Sequence, residues 1–427
     1  MSREAVVRRL AAVGAAVALA LSVSACAPVP AVRVDLPAQA DGALPEGVVG
    51  SVHAAVERAM AATGSTGAIV GVWVPGVGSS VQALGVTRPG GAEVAADMSF
   101  PIAAVTRSMT CDVLHGMVAD GIVALGDSVT TWTTGLPDAK GITLGELCDG
   151  TSGLGSYAPQ LEGRWLAKPD RVWNPRELAS YGLGATLPGA PGTVFRDSDT
   201  AYVVLGMALE RASGKTAAEL YDHYVFEPLG LSATALSAKG AGGTRLTGLR
   251  VGATPEGAVD CAAPVEVGVL SASAGYTASG VVSTIDDLGR YAQALALGAR
   301  SYDSAKRWKS PLPAYADAPS WYTATGGAYQ AGSLVGQFGS VPGYLTAAFA
   351  DRNTGTTVAV VLNNSSAQAG VILSLAWELA ALASKVPVDG DSAAGGLPWT
   401  AEQYAAAVEQ AAICPLPQAE PEAEPEQ

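Results

Sequence analysis

The run Thr357-Val-Ala-Val-Val-Leu362 places the strongest constraint on how this chain can fold. A short and nearly continuous apolar run is typical of a central strand that is buried on both faces. Other strand patterns lie near residues 333–338 and 344–350, and a possible hairpin lies near residues 67–86. The apolar fraction of 49% is enough for a sizeable core in a chain of 427 residues. The sequence therefore predicts a buried sheet with strands late in the chain and a hairpin early in it.

Helical patterns fill most of the chain between these two groups of strands. A helix is predicted from about residue 103 to residue 120, and a loop-rich helical segment follows to about residue 275. Another apolar helix, at residues 368–384, follows the central strand and is expected to pack on the sheet.

The first predicted helix begins with a recognisable motif. Phe100-Pro-Ile-Ala-Ala-Val-Thr-Arg107 resembles the stretch Phe-x-Ile-Ala-Ser-x-Thr-Lys of serine β-lactamases and penicillin-binding proteins, in the branch related to class C β-lactamases and D-Ala-D-Ala carboxypeptidases. In register, Ala104 occupies the position of the family's nucleophilic serine, and Arg107 occupies that of the lysine. A methyl group cannot attack a carbonyl, and a guanidinium that stays protonated cannot act as a base.

Further segments resemble landmarks of the same family, in the family's order. Gly150-Thr-Ser-Gly-Leu154 matches His-Thr-Ser-Gly-Leu, and Pro191-Gly-Thr-Val-Phe-Arg-Asp-Ser-Asp199 matches Pro-Gly-x-x-Phe-x-Tyr-Ser-Asn. The remaining landmarks are the segments at residues 97–100, 121–129, 226–231, 278–288 and 336–344. The resemblance covers roughly residues 60–385.

The resemblance implies an α+β fold of the β-lactamase/transpeptidase type. In this fold, strands from both ends of the domain share one antiparallel sheet flanked by helices, and a mostly helical lobe is inserted between them. The domain is then expected to span residues 47–385, with a sheet lobe at about 47–102 and 276–385 and a helical lobe at about 103–275.

The chain departs from the family pattern at the chemical positions. The family's Tyr-x-Asn motif, which relays protons and holds the substrate amide, is replaced by Asp197-Ser-Asp199, and the His or Lys of the third motif is replaced by Gln337. The resemblance therefore implies that no catalytic residue is intact. Five residues remain candidates for binding a ligand in the old cleft, namely Arg107, Asp197, Asp199, Gln337 and Gly339.

No replacement nucleophile is evident in the sequence. None of the lysines has a serine three residues before it, and no Gly-x-Ser-x-Gly motif is present. The histidines, His53, His115 and His223, lie outside every motif and are interpreted as residues of helix surfaces or of the core.

The charge changes at the old catalytic positions complement each other. In the family the lysine and the Tyr-x-Asn motif face each other across the cleft, so here a permanent cation would face two new anions. We expect Arg107 to pair with Asp197 and to plug the former reaction centre. The alternative is a wet cleft in which these charges are solvated. A metal site from Asp197, Asp199 and Gln337 has little support without a histidine or thiolate, and neither a metal nor another cofactor is expected.

The beginning of the chain has the pattern of a lipoprotein signal peptide over residues 1–25. Arginines precede an apolar stretch that ends in Val23-Ser-Ala-Cys26, which resembles a bacterial lipobox with Cys26 as the lipidated residue. Residues 26–46 are then a Pro- and Ala-rich tether. The protein is expected on the outer face of the bacterial cell membrane, where its lipid anchor inserts into the bilayer. The alternative is an ordinary signal peptide. The net charge of −14 argues against a nucleic-acid partner.

Four cysteines follow Cys26, and an even number in an exported protein suggests disulfides. The sequence leaves the connectivity open, and free thiols are the alternative. The family resemblance favours Cys111–Cys148, because the nucleophile helix packs there near the segment before Thr-Ser-Gly. Cys261–Cys414 would then join the C-terminal extension, residues 386–414, to the domain. The extension contains a predicted helix at residues 401–413, and the acidic tail at 415–427 is expected to be disordered.

The sequence leaves three functions open. The leading prediction is an exported, lipid-anchored pseudoenzyme that binds a cell-wall peptide or a protein partner. The second is a serine hydrolase of the β-lactamase, D-Ala-D-Ala carboxypeptidase or esterase type with a rearranged active site. The third is a purely structural surface lipoprotein. An open pocket beside Gln337 and Gly339 would favour a binding protein, whereas a filled pocket would favour a scaffold.

Overall fold

The computed structural model describes residues 36, 42–136, 139, 141–185, 190–237, 243–387 and 396–416. The strands are β1 Gly67–Val74, β2 Gly78–Gly85, β3 Phe100–Pro101, β4 Leu249–Ala253, β5 Val259–Glu266, β6 Val282–Ser283, β7 Leu312–Pro313, β8 Tyr322–Thr325, β9 Ala328–Ala331, β10 Leu334–Val341, β11 Tyr344–Asp351 and β12 Thr357–Leu362.

The α-helices are α1 Glu46–Thr63, α2 Val105–Ala119, α3 Leu144–Cys148, α4 Ala158–Ala167, α5 Pro175–Leu183, α6 Asp199–Ser213, α7 Ala217–Tyr221, α8 Glu227–Leu229, α9 Ala272–Ser279, α10 Ile285–Leu297, α11 Gly370–Ala383 and α12 Ala401–Gln410. Short 3₁₀ turns occupy Val129–Thr131 and Ala305–Trp308, and a π-helical turn, Asp222–Phe226, joins α7 to α8.

Within these described ranges, eight strands form one antiparallel sheet in the order β2-β1-β12-β11-β10-β9-β8-β7. The predicted central strand is confirmed, because β12 pairs with β1 on one side and with β11 on the other. Every residue of β12 is buried. The first and last parts of the domain thus share one sheet, and the α+β fold of the β-lactamase/transpeptidase type is confirmed.

Helices cover both faces of the sheet, which explains why its central strands are apolar along their whole length. On one face, Val70 and Val360 belong to a core that includes residues of α1, α11 and α12. On the other face, Ile69 and Val361 belong to a core that extends through α2, α6 and α10. Neighbouring residues of one strand therefore enter different cores, as the two-residue repeat of a strand requires.

Helix α2 is fixed in the second core by a network of buried charges. The carboxylate of Asp112, fully buried, accepts a hydrogen bond from Arg300 at 2.7 Å, one from the Tyr291 hydroxyl at 2.8 Å, and one from Arg307. Arg307 also donates to the carbonyl oxygen of Gly326, in the turn between β8 and β9, at 2.8 Å. The network pairs each of these charges, so that their burial does not leave an unsatisfied ion.

The structure adds to the sequence predictions or differs from them in four places. Helix α1 was anticipated only as a helical pattern around His53, and its bounds were not predicted, although Val52, Ala55, Val56 and Ala59 have the spacing of one helix face. The hairpin of β4 and β5 lies in a segment predicted to be helical and loop-rich. Strands β7 to β9 were also missed, because they are too short for a clear two-residue alternation, although the Gly-Gly pair with positive φ between β8 and β9 is a hairpin signal. The predicted helix at 401–413 ends at Gln410.

Two disulfides join distant parts of the chain, and both have the pairing that the family resemblance favours. Cys111 of α2 is bonded to Cys148 at the end of α3, and Cys261 of β5 is bonded to Cys414 after α12. The signal peptide, Cys26 and most of the tether lie outside the described residues, as does most of the acidic tail. In the part of the chain that is described, no helix has both the length and the apolar character needed to cross a bilayer.

Candidate functional site

Three elements bring most of the predicted site residues to one open cleft of about 540 Å³. Ala104 is the N-terminal cap of α2, and Arg107 lies in the first turn of that helix. Asp199 is the first residue of α6, Asp197 precedes it by two positions, and Gly339 lies in β10. All five residues line the cleft.

Ala104 packs directly against β10. A Cβ placed on Gly339 would lie 2.7 Å from the Cβ of Ala104, so the strand has no room for a side chain at this point. The preceding residue, Ala103, has φ 48°, in the left-handed region that a non-glycine residue rarely adopts. The backbone thus makes a sharp turn into α2 and presents residue 104 to the cleft, where the side chain is an unreactive methyl group.

Arg107 binds both carboxylates of the replaced motif. Its Nη1 donates to Oδ1 of Asp197, and its Nη2 donates to Oδ1 of Asp199. The Arg107 side chain is 6% exposed, whereas the side chains of Asp199 and Asp197 are 14% and 55% exposed. Burial by itself would lower the pKa of Arg107, but the two negative charges raise it above the ordinary value. The guanidinium is therefore a permanent cation held between two carboxylates at the base of the cleft.

Asp199 is held by the start of α6 as well as by Arg107. Ser198 caps the helix, since its hydroxyl accepts a hydrogen bond from the N–H of Ala201 at 3.2 Å. A carboxylate in the first turn is stabilised by the helix dipole. The hydroxyl of Ser156 donates to Oδ2 of Asp199, and the backbone N–H of Asp199 donates to that hydroxyl at 3.2 Å. Both carboxylate oxygens of Asp199 therefore accept hydrogen bonds within the protein.

Two tyrosines near Arg107 do not supply a base. The guanidinium carbon of Arg107 lies 5.3 Å from the ring centre of Tyr202, whose hydroxyl donates to the carbonyl oxygen of Cys148 at 3.0 Å. The hydroxyl of Tyr157 donates to the carbonyl oxygen of Ala274 at 3.1 Å. Burial raises the pKa of each phenol, so that both stay neutral around pH 7.

Gln337 is not a residue of the cleft, which corrects the prediction that it binds a ligand there. Its side chain is buried, and it is absent from the residues that line the cleft. The Nε2 of Gln337 donates to the carbonyl oxygen of Gly327 at 3.3 Å, and its Oε1 accepts from the N–H of Phe338 at 3.0 Å. Because both ends of the amide bind backbone groups, the side chain links β10 to the turn between β8 and β9.

None of the histidines reaches the cleft. His53 lies on α1, where its imidazole contacts Glu57 and Gln82. His115 lies on α2, two turns beyond Arg107, and burial together with the nearby charge of Arg307 lowers its pKa to about 3. His223 packs edge-on against Tyr224. The interpretation of these residues as parts of helix surfaces and of the core agrees with these positions.

The cleft also contains residues that the sequence motifs did not single out. Ser156, Glu162 and Trp165 line it, together with Phe338 and Ser340. Ser156 follows by two residues the Thr151-Ser-Gly-Leu154 segment, which resembles a family landmark, and this was a signal for its position. Glu162 and Trp165 lie on α4, and no motif surrounds them in the sequence. Their position in the cleft is therefore evident only from the folded structure. The cleft can therefore hold a ligand by charge, hydrogen bonds and apolar contact, but it presents a methyl group at the position that resembles the family's nucleophile.

Comparison with known proteins places the chain in a family. The family model described as Beta-lactamase matches residues 52–382. The chain is 32% identical over 179 residues to D-alanyl-D-alanine-carboxypeptidase/endopeptidase AmpH of Escherichia coli (strain K12), a match that covers 40% of this chain and 46% of AmpH. It is 33% identical over 164 residues to the esterase EstB of Burkholderia gladioli, covering 34% of this chain and 40% of EstB. The chain thus spans less than half the length of these relatives.

Solved structures share the fold. The D-amino acid amidase of Ochrobactrum anthropi SV3, solved with L-phenylalanine amide, has a TM-score of 0.65 at 22% identity, covering 78% of this chain and 99% of the amidase. The octameric penicillin-binding protein homologue of Pyrococcus abyssi has a TM-score of 0.66 at 20% identity, covering 83% of this chain and 80% of that chain. The match to most of the domain, the sheet order and the arrangement of α2 against β10 lead to one conclusion: this chain belongs to the beta-lactamase family.

Proposed function

We propose that this protein is an exported, lipid-anchored member of the beta-lactamase family that binds a cell-wall peptide or a protein partner in its cleft and does not hydrolyse it. The observation that carries the proposal is the Arg107 guanidinium, which is bound by Asp197 and Asp199 at the base of a cleft that is still open. A hydrolase of this family needs a nucleophile and a base at this place. Ala104 and Arg107 supply neither.

The open cleft favours binding over a purely structural role. A scaffold with no ligand gains stability by filling an old active site, since apolar packing of an empty space is favourable. Here about 540 Å³ stays open between α2, α4 and β10. A relative by sequence, AmpH, is a carboxypeptidase/endopeptidase, which supports a peptide as the ligand.

The chemical part of the proposal is tested by acylation. The full chain is incubated with a fluorescent penicillin and with p-nitrophenyl acetate, and labelling and p-nitrophenol release are measured. We expect no covalent label and no release above that of buffer. The Ala104→Ser/Arg107→Lys double variant is the matched comparison, because it restores the Ser-x-x-Lys motif. Labelling of this variant alone would support a cleft that still admits the family's ligands, whereas turnover by the wild type would contradict the proposal.

The anchor is tested at Cys26. Lipid attached to this residue would send the wild-type protein into the detergent phase on Triton X-114 partition after expression in a bacterial host. The Cys26→Ser variant should partition into the aqueous phase or keep its signal peptide. Aqueous partition of the mature wild type would show that the protein is exported without a lipid.

A second function has one observation in its favour. Ser156 lies in the cleft with its hydroxyl donating to Asp199, an arrangement in which a carboxylate could take the serine proton during attack on an ester. The described lining of the cleft includes no histidine and no lysine that could assist. If the acylation assay detects turnover and Ser156 is the nucleophile, the Ser156→Ala variant should show no turnover. A rate that Ser156→Ala leaves unchanged would exclude Ser156 as the nucleophile.

A further inference from the structure

A second groove lies on the helical lobe, apart from the cleft. Its volume is about 340 Å³, and none of its described lining residues also lines the cleft. Three parts of the chain form it, namely the residues that follow the 3₁₀ turn Val129–Thr131, the start of α5 and the last turns of α6. The volume falls in the range of sites that hold small molecules.

Two arginines give this groove a positive charge. Arg176 of α5 and Arg211 of α6 line it, and both side chains are exposed. Neither guanidinium forms an ion pair with a carboxylate of a described residue, and the neighbouring Glu177 is paired with Arg171 at 2.7 Å. Arginine suits carboxylate and phosphate groups best, so two accessible guanidiniums in one groove indicate an anionic ligand.

Glu210 is the one carboxylate in the described lining of this groove, and it has a structural partner. Its Oε1 accepts a hydrogen bond from the backbone N–H of Ala217, the first residue of α7, at 2.7 Å. Two arginines and one glutamate leave the described lining with a net charge of +1. The groove is therefore locally positive in a chain whose net charge is −14.

Hydrogen bonds at the start of α5 orient the polar groups of the groove. Nη1 of Arg176 donates to the carbonyl oxygen of Thr134 at 3.0 Å, which leaves the other donors of the guanidinium for a bound anion. Asn174 caps the helix, since its Oδ1 accepts from the backbone N–H of Arg176 at 2.9 Å. Because the cap uses Oδ1, the Nδ2 group of this exposed side chain is left to donate to a ligand.

The same groove has an apolar surface. Trp132, Pro175 and Met207 line it, and each is partly exposed. Trp132 and Met207 also pack against the core of the domain, which holds them in position. A rigid indole with apolar neighbours and polar groups around it fits the C–H face of a sugar ring, whose hydroxyl groups then meet the polar groups.

The charge of the whole protein limits which anions can approach this groove. Double-stranded DNA carries one negative charge per about 1.7 Å of its axis, and a protein with a net charge of −14 repels such a polyanion everywhere outside the groove. A glycan that carries at most one charge on each ring is repelled less. The observations therefore favour an acidic glycan over a nucleic acid.

We propose that this groove is a second binding site, which takes an acidic sugar, that is, a pyranose ring bearing a carboxylate or a phosphate group. The anionic group binds Arg211 and the free donors of Arg176, the ring lies on Trp132, and Nδ2 of Asn174 donates to a ring hydroxyl. A surface glycan is the polymer that would present such rings to an exported protein. The inference goes beyond the proposed function of the cleft and does not depend on it.

The test compares four probes that differ in charge and in their ring. Trigalacturonate and glucose 6-phosphate are acidic sugars with a carboxylate and a phosphate, maltotriose is a neutral sugar, and AMP is an anion with a nucleobase. Their binding to the full chain is measured by isothermal titration calorimetry at pH 7 in low salt. We expect each acidic sugar to bind about tenfold more tightly than maltotriose, and its affinity to fall as NaCl is added.

Matched variants connect the binding to the groove. Arg211→Gln and Arg176→Gln each remove an exposed charge, and each should weaken the binding of both acidic sugars about fivefold while leaving that of maltotriose unchanged. Arg250→Gln, at an exposed position of β4 outside both sites, is the control and should change none of these affinities.

Trp132→Leu should weaken the binding of all three sugars, because the ring loses its flat support. Urea unfolding of each variant shows whether the fold is retained. The two arginine variants decide the result even if Trp132→Leu impairs folding, since both arginines are exposed.

Several outcomes would overturn this inference. Maltotriose binding as tightly as the acidic sugars is one, and the absence of binding of either acidic sugar at millimolar concentration is another. An effect of Arg250→Gln equal to that of Arg211→Gln would place the binding elsewhere on the protein. Tighter binding of AMP than of both acidic sugars would make the groove a nucleotide site instead. None of these results bears on the cleft, which the acylation assay tests separately.

Discussion

Arg107, Asp197 and Asp199 depend on one another for their positions. The guanidinium is almost fully buried, and burial of an unpaired charge is unfavourable by several kcal/mol. The two carboxylates lie on either side of it, so that removing the cation leaves like charges close together. The pairing of Arg107 with Asp197 was predicted from their complementary charges. It fixes the positions of these side chains as well as changing the chemistry of the cleft.

Replacing Arg107 with alanine should lower the free energy of unfolding by about 2–4 kcal/mol at pH 7. The loss should be smaller at pH 4 than at pH 7, because burial raises the pKa of Asp197 and protonation of this carboxylate in acid relieves its repulsion with Asp199. The loss is measured by urea unfolding of the wild type and of the variant at both pH values. Arg88→Ala is the matched control, since Arg88 and Glu266 are 54% and 50% exposed and their pair contributes less than about 1 kcal/mol. Equal losses in the two variants would contradict the buried-pair interpretation.

His115 should make the protein less stable in acid. Its folded-state pKa of about 3 lies below the ordinary value of 6.5, so between these pH values the unfolded chain binds a proton that the folded protein does not. The contribution is therefore complete above pH 6.5 and is lost as the pH falls toward 3. We expect the His115 ring signals in NMR spectra to stay unchanged between pH 8 and pH 5. A titration midpoint of His115 between pH 5 and pH 8 would contradict the conclusion that burial and the charge of Arg307 lower its pKa.

Among the elements, α2 is held from two sides. The charge network around Asp112 ties it to the segment that contains Arg300 and Arg307, and the disulfide from Cys111 ties it to α3. Ser108 adds a hydrogen bond from its hydroxyl to the carbonyl oxygen of Gly327 at 2.7 Å. A helix held this firmly keeps residues 104 and 107 in place at the cleft whether or not a ligand is present.

The two disulfides should differ in their response to reductant. Cys111 and Cys148 are fully buried, whereas Cys261 is partly exposed in a hairpin at the surface. Under native conditions, dithiothreitol should therefore reduce Cys261–Cys414 first and leave Cys111–Cys148 intact until the protein unfolds. Alkylation followed by mass spectrometry of peptides gives the order. If Cys111–Cys148 were reduced as fast as Cys261–Cys414 without denaturant, burial would not protect it from dithiothreitol as we expect.

The sequence predicted those parts of the structure that depend on a local sequence pattern. Strand β12 was evident from its apolar run, and Ala104 and Arg107 were placed by a motif with a fixed helical register. It failed for Gln337, because a residue that aligns with a catalytic position can still turn its amide toward the backbone of a neighbouring strand. It also failed for Glu162 and Trp165, whose place in the cleft depends on how α4 packs, and no short-range signal encodes that packing.

For the molecule as a whole, the C-terminal extension is part of the core. Trp399 stacks on Trp377 of α11 with ring centres 5.0 Å apart, and its indole N–H donates to the carbonyl oxygen of Trp377 at 3.0 Å. Tyr404 and Trp321 contact the same rings. The extension thus covers aromatic surface that the sheet and α11 would otherwise expose to water.

Trp399→Ala should therefore lower the free energy of unfolding by about 3–5 kcal/mol, because it removes a buried indole and uncovers Trp377. Tyr315→Ala is the control, since Tyr315 is 55% exposed and its loss should change the free energy by less than about 1 kcal/mol. Both are measured by urea denaturation of the full chain. A change below 1 kcal/mol for Trp399→Ala would mean that the extension folds independently of the domain.

The charge triad of Arg107, Asp197 and Asp199 also affects how single substitutions could change the site. Ala104→Ser alone adds a hydroxyl without a base, and Arg107→Lys alone replaces a two-pronged donor by a point charge that serves two carboxylates poorly. Asp197→Tyr alone leaves the guanidinium half paired. The changes at Arg107 and Asp197 should thus each lower stability, and none of the three single changes introduces both a nucleophile and a base. On the proposed function, the three charges would therefore oppose a stepwise return to a catalytic motif.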